Sequence, residues 1–66
     1  MTVKRIAANR VVVDGRELSQ CAVELDAEEV VTAYYTFTGE LPFTEWRGGT
    51  LRLGRDEGGR LVIIDG

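Results

Sequence analysis

Two adjacent residues, Asp14 and Gly15, constrain the fold of this chain most. They follow three consecutive valines and precede a polar-apolar segment that ends at Leu18. Asp-Gly accepts positive φ at both positions, which the type I′ turn between two right-twisted strands requires. We therefore predict a β-hairpin with a two-residue loop, in which Val11 lies opposite Leu18.

A second strand pattern follows the hairpin. Cys21, Val23 and Leu25 alternate with less apolar residues, which is typical of a half-buried strand. Because these odd-numbered positions do not match the parity of Leu18, we expect a bend or bulge near residues 19–20.

The segment 30–37 has two possible structures. It is nearly all β-branched or aromatic, which favours a strand whose apolar face is formed by Val31, Ala33, Tyr35 and Phe37. The alternative is a helix at about 27–38, with Asp26 as its N-cap, Glu29 as the capping-box partner and Gly39 as the C-terminal cap. We favour the strand because β-branched and aromatic side chains lose rotamer freedom in a helix.

The C-terminal residues predict another hairpin, formed by residues 50–53 and 60–64. A five-residue loop at 55–59 avoids placing two arginines opposite each other and pairs Leu51 with Ile63.

The expected fold is all-β, a single small domain over residues 1–66. We predict an antiparallel β-meander of five or six strands that forms a sandwich or half-open barrel. Residues 40–46 are expected to form a crossing loop or a single helical turn, and an α+β fold with the 27–38 helix is the alternative.

Charge and composition exclude several classes of function. The 8 basic residues are dispersed among 11 acidic ones, for a net charge of −3, so no basic stripe for nucleic acid is visible. No apolar run has the length of a membrane span, and the single cysteine permits no internal disulfide. We expect a cytoplasmic protein that binds neither nucleic acid nor membranes.

Histidine is absent, which removes the usual general base and the commonest zinc ligand. Cys21 therefore has no histidine to activate it as a nucleophile, and a buried, inert thiol is the simpler interpretation. Glu40 with Glu45, and Asp56 with Glu57, could act as paired carboxylates, but solvated loop positions explain them better. The paired glycines lack the frame of a phosphate-binding loop. We predict no enzyme activity, no cofactor and no metal site.

Four short segments share the pattern of a known β subdomain: residues 4–11 (KRIAANRV), 14–15 (DG), 21–26 (CAVELD) and 30–31 (VV). Together they resemble the N-terminal strands of amidohydrolase-type metal-dependent hydrolases, in which a small β-sandwich flanks a catalytic barrel. In that family the strands lead into a metal-binding His-x-His segment, whereas residues 42–53 here contain no histidine. The resemblance thus implies a β fold and transfers no activity. Residues 44–50 are similar to a pattern in short bacterial proteins that carry this β unit alone, which implies a stand-alone module.

Three aromatic residues are the candidate partner-binding residues: Tyr34, Phe43 and Trp46. Tyrosine and tryptophan combine a large contact area with a polar group, which suits them to anchor a partner. In so small a domain Trp46 is favoured as a core residue, with an exposed anchor as the alternative, whereas Tyr34 is expected to point outward. The leading hypothesis is a non-catalytic interaction module that binds a protein partner or a second copy of itself. A small-molecule site near Phe43 and Trp46 is the alternative.

Overall fold

The computed structural model describes residues 3–65. It contains six strands: β1 (Lys4–Val13), β2 (Arg16–Leu25), β3 (Val31–Thr36), β4 (Glu45–Trp46), β5 (Thr50–Arg55) and β6 (Leu61–Asp65). Within these residues there is no helix, and none that could cross a membrane. The all-β prediction is confirmed, and the helical turn considered for residues 40–46 is absent.

The strands form one mixed sheet in the order β3-β2-β1-β5-β6, with β4 also paired to β1. The expected meander is wrong in its connections, because β4 and β5 both run parallel to β1. They pair with successive halves of that long strand. The sheet is single and not closed, and its two end strands meet at a bridge between Val30 and Val62. The predicted sandwich is therefore wrong, whereas the half-open barrel, the other predicted form, agrees with this curled sheet.

The first hairpin forms as predicted. Asp14 and Gly15 have φ values of 50° and 75°, and Val11 pairs with Leu18. Both turn residues thus adopt the left-handed conformation that a type I′ turn needs.

The core lies on one face of the curled sheet. In both β1 and β2 an irregularity shifts by one residue the set of positions whose side chains point to that face. In β1, Ile6 and Ala8 precede the change, and Val11 and Val13 follow it. The predicted bend of β2 is found at Gln20, whose φ is 51°. The largest cluster of buried side chains consists of Ile6, Ala8, Val11, Val13, Cys21, Val23, Leu25, Val31, Leu51, Leu53 and Leu61.

The strand predicted for residues 30–37 is confirmed, but its apolar face is not the one expected. A bulge between Glu24 and Leu25 shifts the register, so Val31 lies on the core face whereas Ala33 and Tyr35 lie on the opposite face. The helix alternative is wrong because Asp26 caps a turn instead. Its Oδ1 accepts hydrogen bonds from the amides of residues 28 and 30, at 2.9 and 3.0 Å.

The last hairpin has the predicted loop length but the wrong register. Arg55 pairs with Leu61 and Leu53 with Ile63, so the loop is residues 56–60. The reason is Asp56, whose Oδ1 accepts the amides of residues 58 and 60 at 2.9 Å each. This side-chain cap places the loop one residue later in the chain than predicted, and each residue of β5 therefore pairs two residues further along β6.

The turns that begin at Asp26 and Asp56 have the same geometry and lie side by side. In each, the aspartate amide donates to the carbonyl four residues later, and the carboxylate caps two amides of the loop. Arg60 Nη1 reaches Glu28 Oε2 in the neighbouring turn at 3.0 Å, and Val30 forms an antiparallel bridge with Val62. The paired turns therefore bring the two ends of the sheet together at one point.

The second face of the sheet is crossed by residues 37–44, which connect β3 to β4. Ala7 and Ala22 pair with each other on this face and are fully buried, although neither belongs to the core cluster. Arg5 Nη1 donates to the carbonyl of Pro42 at 3.2 Å, which holds the crossing segment to the sheet. The two small side chains leave the space that the segment occupies.

Candidate partner-binding surface

Phe43 is the most exposed large apolar residue of the described chain. Its relative exposure is 99%, and its φ of 54° lies in the left-handed region. Pro42 before it is suited to the second position of a type II turn, whose third position requires positive φ and ordinarily carries glycine or asparagine. The Thr44 hydroxyl donates to the carbonyl of Pro42 at 3.0 Å and stabilises this turn. A strained turn thus displays a phenyl ring to solvent.

A polar network beneath Pro42 positions that turn. Arg5 Nη2 lies 3.3 Å from Glu24 Oε2, and the Tyr35 hydroxyl donates to the same carboxylate oxygen at 2.6 Å. The hydrogen bond to the Glu24 carboxylate, with partial burial, raises the pKa of Tyr35 above its ordinary value. Tyr35 therefore stays protonated and keeps Glu24 oriented towards Arg5, which in turn holds the carbonyl of Pro42.

Trp46 is also at the surface, so its favoured role as a core residue is wrong. It pairs with Ala7 across the β1–β4 contact, on the face opposite the core, and 56% of it is exposed. Its neighbour Glu45 is bound by Arg47 Nε at 2.7 Å, and this hydrogen bond lowers the pKa of the Glu45 carboxyl. Neither residue of β4 fills the interior, because the sheet supplies enough aliphatic side chains on its other face.

A cleft of about 410 Å³ lies between Trp46 and the crossing segment. Ala7 contributes to it, as do Gln20, Phe37, Gly39, Glu40, Leu41 and Thr44. Glu40 is the only ionisable residue among the described residues that line it. The cleft is thus walled by two aromatic side chains and carries one acidic group.

The three predicted partner-binding residues do not form one surface, because Tyr34 lies on the opposite face of the sheet from Phe43 and Trp46. Phe43 borders a shallow depression with Val3, Lys4 and Arg5, on the face where Trp46 lies. Tyr34 pairs with Val23, a core residue, and therefore projects from the other face, where it is 37% exposed. Tyr34 was expected to point outward, and it is exposed, but it lies on the core face because the bulge changes the face of the residues that follow Val31. Phe43 and Trp46 share a face and Tyr34 does not.

The residues considered for catalysis are dispersed. Cys21 is fully buried, and burial raises the pKa of its thiol, which disfavours the nucleophilic thiolate. The Asp56 carboxylate caps its own turn, and the amide of Arg60 lowers its pKa. Over residues 3–65 there is no group of three or more histidine, cysteine, aspartate or glutamate side chains arranged to hold a metal ion.

The sequence contains one indication of the unusual backbone conformation of Phe43 that our prediction did not use. Leu41-Pro42-Phe43-Thr44 has proline in the second position of a turn, and the type II form of such a turn gives its third residue, here Phe43, a positive φ. The cleft had no local signal, because its walls come from three separate elements.

Comparison of the chain with protein-family models, with curated proteins and with solved structures finds no match in any of the three.

Proposed function

We propose that this protein is a non-catalytic interaction module that binds a partner protein through the aromatic surface formed by Val3, Phe43 and Trp46. The observation that carries the proposal is Phe43, which is almost fully exposed and adopts a positive φ. A residue other than glycine in this conformation costs on the order of 1–3 kcal/mol, and such outliers cluster at functional sites. Because the phenyl ring is almost fully exposed, its burial does not offset this conformational cost. A contact with another molecule explains why phenylalanine occupies this position.

The surroundings of Phe43 indicate the kind of partner. Val3 is 64% exposed and borders the same depression as Phe43, and Trp46, which is 56% exposed, pairs with Ala7 on the same face of the sheet. Lys4 lines the same depression. An apolar pocket with an acidic rim on another folded protein would complement this surface, because aromatic anchors dominate binding when they fill such pockets.

The test is affinity capture from a lysate with three baits: wild type, Phe43→Ala and Ile64→Ala. Ile64 is a matched control because it is 63% exposed and lies on β6, away from the aromatic surface. We expect a protein that wild type and Ile64→Ala retain and Phe43→Ala loses. Calorimetry with the purified partner should then show at least tenfold weaker binding to Phe43→Ala, the size typical of an anchor residue. Equal retention by all three baits would refute the proposal.

A second candidate function is favoured by the cleft beside Trp46. Its aromatic walls, formed by Phe37 and Trp46, and its single carboxylate, Glu40, suit a small organic cation. An alkylammonium group is attracted both to aromatic faces and to a carboxylate.

Trp46 is the only tryptophan and therefore reports directly on this cleft. Titration with choline should change its fluorescence, whereas 3,3-dimethylbutanol, the neutral molecule of the same shape, should bind more weakly. Glu40→Gln should reduce the difference between the two. Equal responses to both molecules, or none at millimolar concentrations, would exclude a cation site.

A further inference from the structure

The outer edge of β3 is open. β3 ends the strand order of the sheet, so one of its edges pairs with β2. At the other edge the described chain provides only the single bridge between Val30 and Val62, directly before the strand begins. Residues 32–36 therefore present unpaired backbone groups, and an edge of this kind is a template for another strand.

Apart from the bulge at its start, this edge lacks the charges and the proline that normally protect an exposed strand. Residues 30–39 contain no charged residue and no proline, and they are the longest uncharged stretch of the chain. Natural proteins usually guard such edges with lysine, proline or inward-pointing charges. The strand at the other end of the sheet is different, because β6 follows Arg60 and ends at Asp65.

We propose that the outer edge of β3 pairs with the same edge of a second copy, in an antiparallel arrangement about a two-fold axis at Tyr34. The sequence Thr32-Ala33-Tyr34-Tyr35-Thr36 is self-complementary about this centre. Each Tyr35 faces the small Ala33, and Tyr34 faces its own equivalent. Thr36 lies opposite Thr32, the extra residue of the bulge, whose hydroxyl donates to the carbonyl of Glu24 at 3.2 Å. Aromatic pairs across two strands stabilise their association.

The directions of the backbone hydrogen-bonding groups along β3 also support a two-fold axis at Tyr34. The amide of Phe37 donates to the carbonyl of Gln20 at 3.0 Å, so this position faces β2. Because alternate residues of an antiparallel strand direct their backbone groups to opposite sides, Tyr35 also faces β2, whereas Tyr34 and Thr36 face the open edge. Two copies centred on Tyr34 can therefore exchange hydrogen bonds without breaking those within each chain.

The charge of the chain favours contact between two copies through this edge over contact through their charged surfaces. Each chain has a net charge of −3, so two copies repel each other, and the local repulsion is smallest where an uncharged segment meets its equivalent. A two-fold pairing of one edge with itself also closes after two copies, whereas pairing of β3 with β6 would continue into a filament. This proposal uses a different surface from Phe43 and does not depend on the proposed function.

Sedimentation equilibrium tests the proposal with wild type, Tyr34→Lys, Tyr34→Thr and Phe43→Ala. A single strand pair buries a small interface, so we expect a dissociation constant on the order of 100 µM for wild type. Tyr34→Lys places like charges opposite each other and should weaken dimerisation at least tenfold, whereas Tyr34→Thr should retain it. Phe43→Ala should dimerise like wild type, which separates this edge from the aromatic surface.

Amide hydrogen exchange of the wild-type protein provides a second, independent measurement. The amides of Tyr34 and Thr36 should exchange rapidly in dilute solution and become protected as the protein concentration rises. The amide of Tyr35, already paired with β2, should be protected at every concentration. A chain that is monomeric at millimolar concentration would overturn the proposal, as would a dimer in which the protection of Tyr34 and Thr36 does not change.

Discussion

Replacement of Phe43 by asparagine should stabilise the protein, although it removes a large apolar side chain. Asparagine tolerates the left-handed conformation far better than phenylalanine, and the φ of Phe43 is 54°. A non-glycine residue in this region costs about 1–2 kcal/mol, of which asparagine should recover roughly half or more. Because Phe43 is 99% exposed, the side chain buries only about 2 Å², and its loss costs roughly 0.05 kcal/mol. The net expectation is a gain of about 0.5–1 kcal/mol in the free energy of unfolding.

Thermal unfolding followed by circular dichroism measures this gain. For a domain of this size, 1 kcal/mol corresponds to a rise of about 4–8 °C in Tm. Phe43→Ala is the matched control, because alanine removes the ring but keeps the Cβ that makes positive φ unfavourable, so its Tm should be unchanged. A fall of several degrees in either variant would show that the ring packs against this chain, and the argument for an external contact would then fail.

Three further changes probe the framework that holds the surface. The amides capped by Asp26 and Asp56 keep the pKa of both carboxyls below the ordinary value. The free energy of unfolding should therefore be full above pH about 4 and fall as the pH drops through the folded pKa values. Urea titrations along a pH series should show this fall, and Asp56→Ala should reduce it. Leu51→Ala, at a fully buried position, should cost about 2–5 kcal/mol, enough to lower the urea midpoint severely, and a loss below 1 kcal/mol would contradict the assigned core. Ala22→Leu should cost about 1–3 kcal/mol because the second face has no room for it, and an unchanged midpoint would mean that residues 37–44 do not cover this position.

Local chemistry explains which parts of the fold could be predicted from the sequence. The turn at Asp14-Gly15 needs only two residues of suitable conformation, so its hairpin and register followed directly. The bend at Gln20 was expected for a similar reason, because the apolar parity changes on both sides of it. Features that depend on a few consecutive residues can be predicted before any tertiary contact is known.

Most of the errors have a different cause, because the feature depends on a side chain that bonds to backbone or on strands far apart in sequence. Asp26 and Asp56 were interpreted as a possible helix cap and as solvated loop residues, whereas both close five-residue turns with their carboxylates. The parallel pairing of β1 with β5 joins residues some forty positions apart, and no local pattern indicates it. Trp46 was favoured as a core residue because the number of apolar residues is small, not because of its neighbours.

The buried alanines connect the fold to the aromatic surface. A β-sheet with one packed face ordinarily carries polar residues on the other, yet Ala7 and Ala22 are fully buried there. Their small size admits the crossing segment, and Arg5 holds that segment by the carbonyl of Pro42. The chain thus covers its second face with a loop whose own apolar ring, Phe43, points away from it. A loop that served only to cover the sheet would turn that ring inward, so the exposure of Phe43 is the observation on which the proposed partner rests.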